Sequence, residues 1–284
     1  MTTAGFILVL SCPDRPGIVH AVSGFLLEHG GNIIEAAQYD DRDTGLFFMR
    51  THFMAGTGAT PESLSEAFVP IAERFSMRSQ FFDAARRPAT LILVSRLGHC
   101  LNDLLFRQRS GQLPIDIRAV VSNHRDFYQL TASCDIPFHH IPVTAATKAQ
   151  AEARLLEIVE REAIELVVLA RYMQILSADL CRRLEGRAIN IHHSFLPSFK
   201  GARPYRQAHD RGVKLIGATA HYVTSALDEG PIIEQDVERV DHAMDVDTLT
   251  TIGGDIENIV LARAVKWHAE RRVVLNGHKT VVFR

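Results

Sequence analysis

The sequence is poor in cysteine, and no two of its cysteines form a CxxC pair. The 284 residues include four cysteines, which are widely and irregularly spaced: Cys12, Cys100, Cys134 and Cys181. A chain of this length buries enough core to fold without disulfides, so we expect free thiols in a reducing compartment. The sequence also lacks an HExxH motif and any Cys/His cluster. It therefore predicts neither a disulfide framework nor a bound metal.

Long hydrophobic runs and a strong charge of either sign are also missing. The longest apolar runs, such as residues 166–170, are long enough for strands but too short to cross a bilayer. The N-terminus has no basic stretch leading into an apolar run with a cleavage site. The net charge is -2, whereas nucleic-acid binding usually requires a strongly basic surface. We expect a cytoplasmic globular protein with no membrane or nucleic-acid partner.

The first part of the chain has the pattern strand, helix, strand, strand, helix, strand. The predicted strands are residues 6–11, 32–39, 46–53 and 77–83, and the predicted helices are residues 18–28 and 61–75. The first helix ends at Gly30-Gly31, a typical helix-ending signal, and residues 40–45 form a hairpin turn. This order predicts a small ferredoxin-like βαββαβ domain over residues 1–84, followed by a linker at residues 85–88.

From residue 89 onward, apolar strands alternate with helices. The predicted strands are residues 90–95, 115–122, 136–141, 166–170 and 188–191, with helices at residues 100–109 and 147–162. Continuous apolar strands of this kind indicate a mainly parallel, Rossmann-like α/β sheet covered on both faces, here over residues 89–284. Ligands bind such sheets beyond the carboxyl ends of the strands. We therefore expect a site just after residue 170 and just after residue 191.

Polar residues suited to carbonyl chemistry cluster at these places. Asn190 and His192 lie two residues apart at a strand end, so their side chains share one face. Asp228 follows in a loop between two strand candidates, whereas His193 alternates to the opposite face and is expected to be structural. Each of these residues taken singly is more typical of a structural role. Together they supply a hydrogen-bond donor, an acid/base and a carboxylate, which can promote attack on a carbonyl carbon.

Three segments carry a family resemblance. Asn190-Ile191-His192, Ser194-Phe195-Leu196-Pro197 and Leu227-Asp228-Glu229-Gly230-Pro231 resemble, in order, motifs of the folate-dependent formyltransferases. The resemblance covers residues 89–284 and implies that Asn190, His192 and Asp228 are catalytic. It also implies a folate-binding pocket made by Arg171, Met173, Gln174, Ile175, Leu176, Ser225 and Leu227. The transferases often carry Arg where this chain has Gln174. Helix-start packing is the alternative role for Met173, Ile175 and Leu176.

The segment after the first strand of this region distinguishes between branches of the family. Glycinamide ribonucleotide formyltransferases hold the acceptor phosphate with a glycine-rich loop there, but residues 95–105 of this chain contain a single glycine. Because the sequence ends at Arg284, we expect no counterpart of the basic C-terminal domain of methionyl-tRNA formyltransferases. Three stretches, residues 99–105, 194–205 and 260–283, resemble formyltetrahydrofolate deformylases instead.

That second resemblance implies an activity. We expect hydrolysis of 10-formyltetrahydrofolate to formate and tetrahydrofolate, in one-carbon and purine metabolism, with folate as substrate and without a cofactor or metal. Two alternatives remain open at this point. The protein could transfer the formyl group to an amine, or it could be an inactive sensor of folates or amino acids.

The N-terminal domain has its own resemblance. Its Asp14-Arg15-Pro16-Gly17-Ile18 turn and Gly31-Asn32-Ile33 strand entry resemble the ACT domain. ACT domains bind amino acids at subunit interfaces, which implies a homo-oligomer and an amino-acid effector, glycine or methionine, held by Asp14, Arg15, Gly17, Ile18 and Asn32. Free N–H groups at the start of a helix suit a carboxylate. An ACT domain that only promotes oligomerisation is the alternative.

Overall fold

The computed structural model describes residues 4–56, 58–197 and 204–284. These residues divide into two compact units. The first unit comprises the described residues up to Arg86 together with Glu270–Asn276 and Val281–Arg284, and the second comprises the described residues of Arg87–Ala269 together with Gly277–Thr280. The expectation that everything after residue 88 belongs to the second domain thus differs from the spatial division, because part of the C-terminal segment packs in the first unit.

The first unit has the predicted βαββαβ order. Its elements are β1 (Ala4–Pro13), α1 (Ile18–Glu28), β2 (Asn32–Asp41), β3 (Leu46–Ala55), α2 (Pro61–Phe75) and β4 (Arg78–Asp83). The strands form an antiparallel sheet in the order β2-β3-β1-β4. Both predicted helices have the observed bounds, because clear signals mark their ends. For α2 these are the Thr60 cap, which accepts the Ser63 N–H, and the left-handed Ser76.

An aromatic cluster fills the core of this unit. Phe68 packs edge-on against Phe25, with ring centroids 4.9 Å apart, and against Phe81, at 5.5 Å. These rings come from α2, α1 and β4, so they join both helices to the sheet. The fold class predicted for this unit is confirmed.

The C-terminal segment adds polar contacts to the same unit. It contains the hairpin strands β12 (Val273–Asn276) and β13 (Lys279–Val282). Arg272 Nη1 lies 2.8 Å from Glu35 Oε1, and Arg50 Nε donates to the Glu270 carbonyl at 3.2 Å. Asn276 Nδ2 donates to Asp41 Oδ2 at 2.6 Å. These contacts to β2 and β3 explain why the end of the chain groups with the N-terminal sheet.

The second unit is an α/β fold built on one large sheet. Its elements are β5 (Ala89–Val94), α3 (His99–Arg109), β6 (Asp116–Ser122), α4 (Tyr128–Ala132), β7 (Phe138–His140), α5 (Lys148–Arg161), β8 (Leu166–Leu169), α6 (Ala178–Arg183), β9 (Ala188–His192), α7 (Pro204–Arg211), β10 (Leu215–Tyr222), β11 (Ile232–Arg239) and α8 (Val246–Ala269). The sheet order is β11-β10-β9-β8-β5-β6-β7. Strands β5 to β9 pair in parallel, and β10 pairs antiparallel with both neighbours, which confirms the predicted mainly parallel sheet.

The strand order determines where a site can form. The chain runs outward from β5 in both directions, with β6 on one side and β8 on the other. At such a switch point the loops that follow adjacent strands diverge and leave a crevice at their carboxyl ends. The loops after β5, β8 and β9 therefore border the same crevice. No helix in the described part of the chain is long and apolar enough to cross a membrane.

Candidate active site

A cavity of about 360 Å³ opens beyond the carboxyl ends of β8 and β9. Every residue predicted to be catalytic or to bind folate lines it: Arg171, Met173, Gln174, Ile175, Leu176, Asn190, His192, Ser225, Leu227 and Asp228. The contributing segments are the loop after β8, the end of β9 and the loop between β10 and β11. The structure therefore brings the predicted residues together in one cavity, while the role of each stays a prediction.

Asn190, His192 and Asp228 form the polar end of this cavity. Asn190 and His192 lie two residues apart on β9. His192 Nδ1 lies 3.3 Å from Asp228 Oδ2, and the His192 side chain is 6% exposed. His192 Nε2 has no hydrogen-bond partner among the described residues. The imidazole thus engages the carboxylate through one nitrogen and keeps the other available for a substrate.

His221 is a site residue that sequence reasoning missed. It lies on β10 directly opposite Asn190 in the antiparallel register. The His221 Nδ1–H donates to the Tyr222 carbonyl at 2.9 Å, so the neutral ring accepts at Nε2, where the Asn190 amide nitrogen lies 3.2 Å away. This tautomer is assigned from the hydrogen-bond network. Only knowledge of the β9–β10 register could have identified His221, since the two residues are far apart in sequence.

The environment of Asp228 favours its ionised form. The hydrogen bond from His192 is the largest of the effects that hold the pKa of Asp228 well below its usual range. Partial burial acts in the opposite direction but is outweighed. Asp228 is therefore a carboxylate at neutral pH and can only accept hydrogen bonds.

A glycine fixes the loop that presents Asp228. A Cβ at Gly230 would lie 1.7 Å from the Tyr222 carbonyl oxygen, so no other residue fits there. The close approach lets the Tyr222 N–H bond to the Pro231 carbonyl at 2.9 Å, and Asp228 itself has a φ of 57°. The Leu-Asp-x-Gly-Pro motif thus has a physical basis, because it allows a tight turn that returns the chain to β11.

The folate-binding residues predicted after β8 lie on a loop held by Ser95. The Ser95 N–H donates to the Arg171 carbonyl at 3.1 Å, and the Met173 N–H donates to Ser95 Oγ at 2.9 Å. Met173 and Ile175 are 57% and 62% exposed, which excludes core packing for these two side chains. Exposed apolar side chains beside a cavity are typical of a surface that binds a flat ring. Leu176, by contrast, is partly buried against the core of the unit.

His193 departs from its expected position. It was expected on the face of the sheet opposite His192, but β9 ends at His192, so strand alternation does not extend to it. Its ring stacks on His192 with centroids 4.9 Å apart, and it lines the cavity. Tyr172, which belongs to the run of residues 171–176 expected to line the folate pocket, also lines the cavity, and so do three residues that were not predicted: Val223, Thr224 and Ala226. Residues 198–203 of the predicted loop after β9 lie outside the described residues.

A second cavity, of about 610 Å³, adjoins the first. The two share Arg171, Met173 and His193 in their linings. Glu257 on α8 lines this second cavity and is 1% exposed, with Oε2 2.7 Å from His99 Nε2 and Oε1 accepting the Tyr205 hydroxyl at 2.6 Å.

Charge and shape hold this buried carboxylate in place. Burial alone would raise the pKa of Glu257, but the His99 hydrogen bond, the Arg171 charge and the Tyr205 hydrogen bond together lower it. Gly253, one turn earlier on α8, makes room for Tyr205, because a Cβ there would lie 2.1 Å from the ring. Glu257 is thus ionised, and each of its two oxygens contacts a donor.

The same place holds a group of potential metal ligands. Among the described residues, ligand atoms of His99, Cys100 and Glu257 lie within 4.8 Å of one another. Burial, followed by the charge of Glu257, raises the pKa of the Cys100 thiol well above its usual range, so the thiolate that binds metal is disfavoured. Glu257 also faces the Arg171 cation at 3.4 Å. This donor set does not fit a cation site.

The predicted regulatory residues surround the turn between β1 and α1 and the start of β2. The Arg15 guanidinium donates to the Arg74 carbonyl and lies 4.8 Å from the centre of the Phe75 ring, at the end of α2. The Ile18 side chain is 2% exposed in the apolar core, which leaves only its backbone N–H for a ligand. Asp14, Gly17 and Asn32 are exposed. Binding of an effector at this turn stays a prediction.

Comparison with known proteins agrees with both units. The family described as "Formyl transferase" matches residues 89–265, and the family described as "ACT domain" matches residues 6–58. A protein named formyltetrahydrofolate deformylase from Corynebacterium sp. (strain P-1) is 52% identical over 280 residues, which cover 98% of each chain. The protein of that name from Bacillus subtilis (strain 168) is 50% identical over 97% of this chain and 93% of its own.

A solved structure extends this likeness to the whole fold. The crystal structure of a formyltetrahydrofolate deformylase from Burkholderia mallei ATCC 23344 superposes with a TM-score of 0.94 at 56% sequence identity, covering 99% of this chain and 100% of the other. Similarity at this level over nearly the full length includes both units and the segments that line the cavity. The chain belongs to the formyltetrahydrofolate deformylase family.

Proposed function

We propose that this protein hydrolyses 10-formyltetrahydrofolate to formate and tetrahydrofolate. One observation carries the proposal. In a chain of this family, an amide, an imidazole and an ionised carboxylate meet at the polar end of a cavity whose other walls are apolar and exposed. The apolar walls suit the pterin ring of a folate, and the three polar groups suit the reaction of a formyl carbonyl with water.

In the proposed mechanism Asp228 orients the His192 ring and the attacking water, and it does not act as a strong base toward that water. Its depressed pKa makes it a weak base, but a good acceptor for the His192 Nδ1–H and for a water molecule. Holding Nδ1–H fixes the His192 tautomer with a lone pair at Nε2. His192 Nε2 can then accept a proton from the water as it attacks the formyl carbon, and later deliver that proton to the departing N10 atom of the folate.

Asn190 is assigned to the developing oxyanion. His221 Nε2 accepts one N–H of the Asn190 amide and so orients the group. The second N–H of the amide remains to donate to the carbonyl oxygen, which becomes negatively charged when water adds. A donor fixed in advance stabilises this charge without reorganising during the reaction. Collapse of the tetrahedral intermediate breaks the C–N10 bond and releases formate.

The second cavity favours water over an amine as the acceptor. Glu257, the buried carboxylate on its lining, already bonds to His99 and Tyr205 and faces Arg171, so it has little remaining capacity to hold an incoming amine. The loop before α3 also lacks the glycines of a phosphate-binding turn. These features support hydrolysis over formyl transfer. The cavity with its catalytic groups in contact speaks against an inactive sensor.

The test is incubation of the pure protein with 10-formyltetrahydrofolate and no amine. We expect formate and tetrahydrofolate in equal amounts, together with at least about a hundredfold loss of turnover in Asn190→Ala and His192→Ala. Asp179→Asn, an exposed carboxylate substitution on α6, is the matched control and should retain full turnover. Formate release that requires an added amine would instead establish a transferase.

Regulation and assembly complete the proposal. We propose a cytoplasmic homo-oligomer without a cofactor, in which an amino-acid effector binds the turn formed by residues 14–18 and the start of β2. The N–H groups that begin α1 support a carboxylate ligand there. Calorimetric titration with glycine and with methionine tests this, since Asp14→Ala should weaken binding of the true effector. An unchanged affinity would move the effector site elsewhere.

A further inference from the structure

Arg171 has an unusual backbone conformation for its residue type. Its φ is 64°, in the left-handed region that disfavours side chains with a Cβ. Ser95 maintains this conformation by donating its N–H to the Arg171 carbonyl and accepting the Met173 N–H at its hydroxyl. Strain of this kind persists where the surroundings impose it, and it is commonest at functional sites. The strained backbone directs the arginine side chain inward, where it is only 7% exposed.

The guanidinium of Arg171 has unused hydrogen-bonding capacity. Its Nε lies 3.4 Å from Glu257 Oε2, and neither Nε nor Nη1 has a hydrogen-bond partner among the described residues. A buried charged donor without a partner is costly. Because the fork of N–H groups matches a carboxylate, a small carboxylate ligand would satisfy it.

Arg171 also lies where the two cavities meet. It lines the cavity of about 360 Å³ together with Asn190 and His192, and this first cavity is named the formyl cavity. It also lines the second cavity together with His99 and Glu257. Folate bound against Met173 and Ile175 would occupy the formyl cavity while formate is being released. The rim of the second cavity carries exposed residues, among them Thr251 and Asp255, and so offers the product another route.

We propose that Arg171 binds formate as it leaves the formyl carbon and conducts it into the second cavity, which serves as a small-monocarboxylate site. This inference rests on the proposed function for the source of the formate. The charges around the cavity favour a monoanion over a phosphate dianion, because the carboxylates of Glu257 and Asp255 lie on the same lining as Arg171 and Arg206. Arg171 acts on the product, and the proposal assigns it no step in bond breaking.

Direct binding of ¹³C-formate, followed by line broadening in NMR spectra, tests the site without relying on turnover. A ligand of three heavy atoms binds with a Kd of about 1 mM at best, so formate is titrated to roughly 20 mM. We expect saturable binding to the wild type, at least about tenfold weaker binding in Arg171→Gly, and partial retention in Arg171→Lys. Glycine accepts a φ of 64° without strain, so Arg171→Gly preserves the loop.

A control variant distinguishes loss of the formate site from a general effect of removing an arginine. Arg182→Met removes an exposed arginine on α6 and should leave formate affinity unchanged. Wild-type protein that does not bind formate, or equal binding by wild type and Arg171→Gly, would overturn the inference. So would displacement of formate by inorganic phosphate at lower concentration than by acetate. Failure of the proposed function gives a separate result, namely no formate formed from 10-formyltetrahydrofolate, whatever the binding data show.

Discussion

Two carboxylates in neighbouring cavities, Asp228 and Glu257, show how the same chemical group can serve different ends. Both have pKa values below the ordinary range and both contact histidine. Asp228 is 17% exposed and has imidazole nitrogens at 3.3 and 3.7 Å. Glu257 is 1% exposed and has a hydroxyl and an imidazole nitrogen at 2.6 and 2.7 Å, with Arg171 close by.

The difference lies in how completely each carboxylate is bonded. A carboxylate offers about four lone-pair sites. Glu257 directs both oxygens at protein donors at short range, so its interactions stabilise the fold. Asp228 has longer contacts and faces an open cavity, so it retains the capacity to accept a hydrogen bond from water. A lowered pKa is thus common to both residues, and the free lone pairs are what distinguish the candidate catalytic group.

The largest expected effect is the loss of turnover in Asp228→Asn. The amide cannot carry the negative charge that orients His192 and the attacking water, so kcat should fall by about a hundred- to ten-thousandfold. Steady-state release of formate measures the change. Because Asp228 is partly exposed, the free energy of unfolding should change by less than about 1 kcal/mol. A variant that keeps more than a tenth of the wild-type kcat would assign Asp228 to the structural class occupied by Glu257.

Glu257→Gln should show the opposite behaviour. Removing one partner of a buried ion pair leaves Arg171 without a counter-charge, and we expect the free energy of unfolding to fall by about 3 kcal/mol. For a chain of this size the melting temperature should drop by roughly 6–12 °C. Asp255→Asn, at an exposed position on the same helix, is the matched control and should cost less than about 0.5 kcal/mol.

A double-mutant cycle identifies the cause of that loss. If the unpaired arginine is responsible, Arg171→Met combined with Glu257→Gln should be less destabilised than the sum of the single changes. Strict additivity would show that Arg171 does not contribute to the stabilising effect of Glu257. The remaining candidates would then be the hydrogen bonds to His99 and Tyr205.

The sequence correctly predicted helix bounds and the location of the site, because both depend on the pattern of residues close together in the chain. The bounds of α1 and α2 follow from caps and breakers within a few residues of each end. The location of Asn190, His192 and Asp228 followed from strand alternation and from the rule that parallel sheets bind ligands at the carboxyl ends of their strands. These inferences need no knowledge of distant parts of the chain.

The features that were missed depend on long-range pairing. His221 contacts Asn190 only because β10 runs antiparallel to β9 in one particular register. Glu257 meets His99 across 158 residues, and Arg272 joins Glu35 across 237. A sequence of polar residues in a helix such as α8 does not reveal which of them turns inward. The second cavity and the position of the C-terminal segment were therefore beyond a reading of local pattern.

Substitution of His221 tests whether catalysis requires the Asn190 amide to be held in one orientation. In His221→Leu the Asn190 amide loses the acceptor that orients it, and a misplaced oxyanion donor should lower kcat by about ten- to hundredfold while KM changes little. His221→Gln can still accept the amide hydrogen and should recover part of the loss. Equal damage to kcat and KM, without rescue by glutamine, would indicate a structural role for His221.

The smallest expected effect is in the dependence of stability on pH. The folded pKa of Asp228 lies below its unfolded value of about 3.9, so the ionised carboxylate contributes stability that is fully present above about pH 4. That contribution should disappear as the pH falls through the folded pKa, because the carboxyl group is then protonated in both the folded and the unfolded states. The difference in unfolding free energy between wild type and Asp228→Asn should thus be constant between about pH 6 and 4 and shrink at lower pH.

Urea unfolding at a series of pH values measures this difference, which solvent screening limits to about 1 kcal/mol. The Glu257→Gln comparison should show a decline of the same sign and larger size, since the pKa of Glu257 is also lowered but its carboxylate is buried. If the difference in unfolding free energy between wild type and Asp228→Asn instead grew as the pH fell, the folded state would disfavour the ionised form of Asp228. The distinction between Asp228, which keeps lone pairs for a water molecule, and Glu257, whose oxygens bond to protein donors, would then be wrong.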